Sequence, residues 1–291
     1  MTDSTLLGVL HNDTYFTRMA SSVGDKIRLL DWLVPGPVLD VGAGNGALVA
    51  AARTYGHDAI GVDASTKAVA RSDGLVIHGH APGLTTLFGT EPRFANIIFC
   101  SVLHEIDSYH APDGEAAVAA TIREASQLLL PGGRILVRDG VAPSDPDTPT
   151  RVRFHSPRDG ARFHAAWHAQ SANLGPNRAS AHTHIGEDGH LYGKAVHTTE
   201  FLLTYVWGWD SLAREAHEAY TVAGPLVVRG AELAAWANMN VTAALAYTQP
   251  GYVTHLDALC QYEHTPDPTQ PRWEPRPTPD TNAIWILSKP R

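Results

Sequence analysis

Three glycines at alternate positions, Gly42, Gly44 and Gly46, follow the short apolar run Val38-Leu39-Asp40-Val41 and precede a helical pattern that starts at Ala47. Glycine tolerates positive φ and lets a ligand come close to the backbone. The spacing is GxGxG. A dinucleotide pyrophosphate prefers GxGxxG, and a phosphate P-loop needs a GK[ST] that does not follow here. The turn can offer amide hydrogens to a carboxylate, and Asp40 can hold an ammonium directly or through water. Asp63 comes 23 residues after Asp40, at the end of the next apolar run. A carboxylate there can accept both hydroxyls of a vicinal ribose diol. The bland alternative is a tight turn and a surface acid. Turn and acid together, with a helix between, favour a site for a nucleoside that carries an amino acid.

Other residues could act on a second substrate. His104 follows the apolar run FANIIFCSVL (94–103), and an imidazole suits deprotonation of a hydroxyl or amine near neutral pH. Glu105 could orient it or bind substrate; the competing reading is a histidine bonded to backbone and a glutamate capping a helix. Asp139 ends RILVRDG (134–140), where it either contacts substrate or opens a turn. His155, Tyr205 and Trp207 are candidates for an acceptor pocket, although the aromatics serve equally as core. His164 and His168 are four apart, and His182 alternates with His184. A metal site needs three or four convergent ligands, and no such spacing is present, so none is expected.

The elements that must hold these residues are legible as periodicity. Residues 15–33 carry apolar residues at helical spacing. Strands are predicted at 38–41, 59–65, 74–82, 94–103 and 134–140, with helices from 47 to 54 and over 116–130, the latter stopped by Pro131-Gly132-Gly133. Strands apolar on both faces and alternating with helices imply a parallel sheet covered on both sides. The fold class is α/β, doubly wound, with seven mostly parallel strands and helices on both faces. Such sheets bind ligands at the carboxyl ends of their strands. After Gly140 the texture changes. Residues 141–149 are polar and Pro-rich, and 151–230 hold eight of the 16 histidines. Residues 141–228 are expected as a mostly helical cap inserted after the fifth strand; 1–140 and 229–291 form the core. Within that core, 229–239 reads as a helix, 241–248 and 282–289 as strands, and 266–280 as a Pro-rich loop.

Composition narrows the function. The chain has 291 residues, 44% hydrophobic and 18% charged, enough for a large folded core. The formal charge of −8 argues against a nucleic-acid partner. Two cysteines, Cys100 and Cys260, make neither a disulfide framework nor a CxxC metal site. No segment reads as a signal peptide or a membrane span, so the expectation is a cytoplasmic protein without a membrane partner. A homodimer is compatible with these features.

VLDVGAGNG, GVDAS, NIIFCSVLHEI and LLLPGGRILVRDG together resemble the motifs of class I S-adenosylmethionine-dependent methyltransferases, over about residues 15–140 plus the last strand. The resemblance implies S-adenosyl-L-methionine as cofactor. It implies Tyr15, Asp40, Gly42, Ala43, Gly44, Asn45 and Gly46 around the methionine part and Asp63 at the ribose. Ala64 and Ser65 would flank the adenine, and Gly79 and His80 would end the third strand. Cys100 and Ser101 would end the fourth strand beside the cofactor. Where many members of the family carry an acidic residue toward the adenine amino group, this chain has His80. The expected reaction moves a methyl group to an O or N atom of a small molecule, such as a natural product, or of a modified peptide, with His104 and Glu105 as catalytic candidates. Two alternatives are an RNA methyltransferase and a cofactor-binding protein without turnover. A dehydrogenase is disfavoured by GxGxG.

Overall fold

The computed structural model describes residues 23–172, 178–265, 267, 269 and 272–291. The chain divides into two compact units. The first takes residues 1–139, 227–245 and 283–291; the second takes 140–226 and 246–282.

The described part of the first unit opens with helix α1 (Val23–Lys26), which tightens into a 3-10 turn over Ile27–Trp32. Then come β1 (Val38–Val41), α2 (Ala47–Thr54), β2 (Ala59–Asp63), α3 (Thr66–Ala70) and β3 (Val76–His78). They are followed by α4 (Leu84–Phe88), β4 (Phe94–Cys100), α5 (Leu103–Tyr109), α6 (Gly114–Leu128) and β5 (Leu129–Gly140). In the second unit are β6 (Pro149–Phe154), α7 (Pro157–Ser171), β7 (His184–Ile185), β8 (Leu191–Lys194), α8 (Ala195–Tyr205) and α9 (Leu212–His217). Next along the chain are α10 (Leu226–Ala237), β9 (Asn240–Tyr247), α11 (Pro250–Asp257), β10 (Cys260–His264), β11 (Glu274–Pro275) and β12 (Asn282–Ser288).

The first unit is built on a seven-stranded sheet in the order β3-β2-β1-β4-β5-β12-β9. β1 pairs in parallel with β2 and β4, β2 with β3, and β4 with β5. Every residue of β1 and β4 is buried, which is why these segments read as unbroken apolar runs. This is a doubly wound, Rossmann-like sheet, with the order reversing between β1 and β4. Ligands bind at such a reversal, beyond the strands' carboxyl ends.

Several boundaries differ from the sequence expectation for identifiable reasons. The third strand is only three residues long, Val76–His78, because pairing with β2 stops at Asp63. The fourth stops at Cys100: Ser101 adopts φ +59°, and a helix starts at Leu103. β5 runs through Pro131-Gly132-Gly133 instead of starting after it. Lys289 N donates to Gly133 O at 2.9 Å and Gly132 N to Pro290 O at 3.2 Å, which supplies partners for this stretch.

The second unit contains the expected helices and, in addition, a five-stranded sheet in the order β11-β10-β6-β8-β7, antiparallel in each pair. Residues 246–282, which the sequence reading kept in the core, cluster with this unit because β10 pairs with β6 along its whole length. Its core is aromatic: Phe154, Phe163, Trp167, Phe201 and Tyr205 pack edge to face or stacked.

Candidate functional site

The glycine turn is held from below. Gly42 N and Ala43 N both donate to Val62 O, at 2.9 and 3.1 Å, and Gly46 N donates to Ala43 O at 2.9 Å. Gly42, Gly44 and Gly46 have φ of +72°, +57° and +81°, which side chains other than glycine's seldom adopt. A Cβ on Gly42 would lie 2.4 Å from Val102 Cγ2, so the close approach of β4's following loop requires glycine there. Among the described residues, a Cβ on Gly44 would meet nothing within 4 Å. Above Gly44 the turn is therefore an open cradle. Asn45 is half-buried in the same turn.

Asp63 is built into this turn. Its Oδ2 accepts from Gly44 N at 2.8 Å and its Oδ1 from Ser65 N at 2.7 Å. Burial raises its pKa, while the two amide bonds lower it. Each oxygen keeps a further lone pair. Ser65 is itself the N-cap of α3, accepting from Ala68 N at 3.3 Å. Ala64 follows Asp63, and its carbonyl lies 3.2 Å from His78 Nε2.

Asp40, on β1, is 3% exposed, and its Oδ1 has no hydrogen-bond partner among the described residues. Burial pushes its carboxyl up to about 7, with Lys26 pulling it down and Asp63 pushing it further up. Lys26 is also buried, and desolvation lowers its pKa. Arg138 lies in the same buried layer. It donates from Nε to Asp25 Oδ2 at 3.1 Å and from a terminal nitrogen to Ser101 Oγ at 2.7 Å, and Ser101 N donates to Arg138 O at 2.6 Å. Cys100 is buried between these charges, and desolvation raises its thiol pKa.

A cleft with about 550 Å³ of open space lies beside the turn. Its lining includes Gly42, Asp63 and Ala64 from the turn side, Gly79, His80 and Ala81 after β3, and Glu105, Tyr109 and His110 from α5. The His80 ring meets His78 edge to face at 5.4 Å. The residues fit S-adenosylmethionine. An unpartnered buried carboxylate oxygen suits an ammonium, an open glycine cradle suits a carboxylate, and a two-oxygen acid at the cleft wall suits a diol.

His104 is 4% exposed and does not line that cleft. Its Nδ1 lies 2.5 Å from Asp139 Oδ1, while Asp139 Oδ2 accepts from Leu103 N at 2.7 Å and from His104 N at 3.2 Å. One carboxylate thus caps the first turn of α5 and holds the imidazole. Asp139, expected either at substrate or at a turn, bonds to His104. Glu105, expected either to orient His104 or to bind substrate, lines the cleft. The sheet order contains the missing signal. Cys100 faces Arg138 across β4 and β5, so the next residue of β5 stands beside the loop that leads to His104.

Tyr15 lies outside the described residues. His155, Tyr205 and Trp207 belong to the second unit. Tyr205 is stacked on Phe201 in its core, Trp207 packs on Tyr252, and His155 Nε2 lies 2.9 Å from Asp257 O beside a separate cavity. Sequence reasoning did not single out Lys26, Arg138, Tyr109 or His110.

A methyltransferase domain family matches residues 15–194. No curated protein matches this chain. Among solved structures it is similar to the YcgJ protein of Bacillus subtilis, at 17% identity over 94% of this chain and 99% of that one, with a TM-score of 0.48. It is also similar to a SAM-dependent methyltransferase of Methanosarcina mazei, at 12% identity over 88% and 93%, with a TM-score of 0.46. A third is the 1,6-didemethyltoxoflavin-N1-methyltransferase of Burkholderia thailandensis, at 15% identity over 94% and 87%, with a TM-score of 0.43. With the family match spanning more than half its length, this chain belongs to the class I methyltransferases, whose cofactor is S-adenosylmethionine.

Proposed function

We propose that this protein transfers the methyl group of S-adenosylmethionine to an oxygen or nitrogen of a small molecule or modified peptide, with His104 as the general base. The observation that carries the reading is the buried contact of 2.5 Å between His104 Nδ1 and Asp139 Oδ1. A carboxylate at Nδ1 holds that nitrogen's proton and leaves Nε2 as the basic one. The bond also fixes the ring on α5, whose next residue, Glu105, lines the cleft. The cofactor, when bound, supplies an electrophilic methyl carbon. The chain supplies alignment and a place for the acceptor's proton. Asp40 would hold the ammonium, Asn45 N on the open side of the turn the carboxylate, and Asp63 the ribose. The cap role of residues 141–228 stays part of this proposal: such a segment would exclude water and select the acceptor.

The test is turnover with a panel of hydroxyl and amine acceptors, read as S-adenosylhomocysteine formed. On a hydroxyl acceptor, His104→Ala should lower kcat by about 10²–10⁴-fold, the usual worth of a positioned base. Affinity for S-adenosylmethionine should hardly change. Asp139→Asn should act through the tautomer. The amide oxygen can keep the bonds from Leu103 N and His104 N, while its NH₂ turns toward Nδ1 and drives the proton to Nε2. Full activity of both variants on a hydroxyl would defeat the base.

A further inference from the structure

We propose that His110 reads the base edge of the cofactor, through an Nε2 fixed as a hydrogen-bond acceptor, and so selects an exocyclic amino group over a keto oxygen. His110 is the C-cap residue of α5 and lines the cleft together with Tyr109 and Ile106 of the same helix. Its Nδ1 lies 2.8 Å from Ile106 O, and the same carbonyl accepts from the His110 backbone N at 3.2 Å. A carbonyl oxygen can only accept, so Nδ1 must carry the proton. In a neutral imidazole the other nitrogen is then a bare acceptor. The bond back to its own helix also removes ring rotation, so the choice is built in before any ligand arrives.

The other polar groups of the cleft make this the informative one. Its carboxylates are Asp63 and Glu105. Asp63 is already tied to the turn by Gly44 N and Ser65 N. His80 sits after β3 with its ring against His78, whose own Nε2 faces Ala64 O. The inference rests on the reading that this cleft takes the adenosine of the cofactor, with Asp63 at the ribose. Beyond Asp63 the lining consists of Gly79, His80 and Ala81 and the last turn of α5. An adenine placed there offers an N–H donor to the locked acceptor. A hypoxanthine offers a carbonyl, which sets lone pair against lone pair and leaves both unsatisfied.

The experiment measures dissociation constants of S-adenosylhomocysteine and S-inosylhomocysteine by calorimetry on the whole protein. The wild type should prefer the adenosyl ligand by on the order of tenfold or more, the cost of facing one acceptor with another. His110→Phe keeps a ring without an acceptor and should bring the ratio close to one. His110→Ala should do the same if the helix end tolerates it. Asp63→Ala should weaken both ligands and leave the ratio in place. An undiminished preference in His110→Phe, or equal binding of the two ligands by the wild type, overturns the proposal. Failure of both ligands to bind overturns the cofactor site beneath it, and is seen as loss of signal rather than as a ratio of one. A ligand-independent readout is the ¹⁵N spectrum of the imidazole. It should show Nδ1 protonated and Nε2 bare; the opposite tautomer refutes the lock.

Discussion

Replacing Asp63 by alanine should separate what the residue does for the cofactor from what it does for the fold. As a diol ligand it would make two hydroxyl-to-carboxylate bonds. Each bond to a charged group is worth about 1.5–3 kcal/mol, together about 3–6 kcal/mol. That is between roughly two and four decades in Kd. The structure adds a second cost. Gly44 N and Ser65 N each lose their acceptor at 2.8 and 2.7 Å, so the turn loosens as well. Unpaired amides cost about 1–3 kcal/mol each where they stay buried, and less here if water reaches them. Asp63→Ala should therefore lower Tm and weaken S-adenosylhomocysteine. Asp63→Ser, which keeps a short acceptor for one amide, should recover part of the Tm but little of the affinity. Calorimetry at a temperature where both variants are folded gives Kd, and a thermal scan gives Tm. A folded Asp63→Ala with wild-type Kd would refute the ribose role, however large its loss of Tm.

Three further predictions come from the glycine turn and the strand before it. Gly42→Ala places a methyl 2.4 Å from Val102 Cγ2 at φ +72° and should destabilise the protein by about 1–3 kcal/mol. Gly44→Ala meets no atom of the described residues within 4 Å, so it should keep most of its Tm, losing about 1 kcal/mol to the left-handed backbone, yet weaken S-adenosylhomocysteine at least about tenfold by filling the cradle; equal affinity in that variant would place the ligand elsewhere. Asp40 is held at about 7, above its ordinary 3.8, so the folded protein favours its protonated form more than the unfolded chain does. Its contribution is complete below about pH 4 and is lost as pH rises through about 7. Asp40→Asn has no such proton to lose and should show a Tm that falls less between pH 5 and 8 than the wild type's; parallel curves for the two proteins would contradict the buried carboxyl.

The legible part of this molecule was the part governed by short-range pattern. The strands β1, β2 and β4 are buried runs bounded by turn residues, and the GxGxG turn with Asp63 has a spacing that follows from one βαβ unit. What escaped was pairing between distant residues. Asp139 and His104 are 35 positions apart, and Ile106 and His110 reveal a tautomer only once a helix end is known. The sheet of the second unit was hidden for a related reason. β6 and β8 are four to six residues long, and β10, the other partner of β6, lies beyond two elements of the first unit. Proline and glycine misled once. Pro131-Gly132-Gly133 looks like a stop, but the chain stays extended because Lys289 and Pro290 bond to it.

The strand order has a consequence for how the protein is made. β12, residues 282–288, lies inside the sheet, between β5 and β9. A ribosome delivers β5 some 140 residues before it delivers β12. During that interval one side of β5 has no strand partner, and β9 has nothing to join. The sheet of the second unit is in a similar position, since β6 must wait for β10, about 110 residues on. Neither sheet can close early, so the nascent chain carries open strand edges through a long stretch of its synthesis. Such edges invite pairing with the wrong chain. This topology makes yield in a cell depend on how quickly the last strand follows and on what shields β5 until it does.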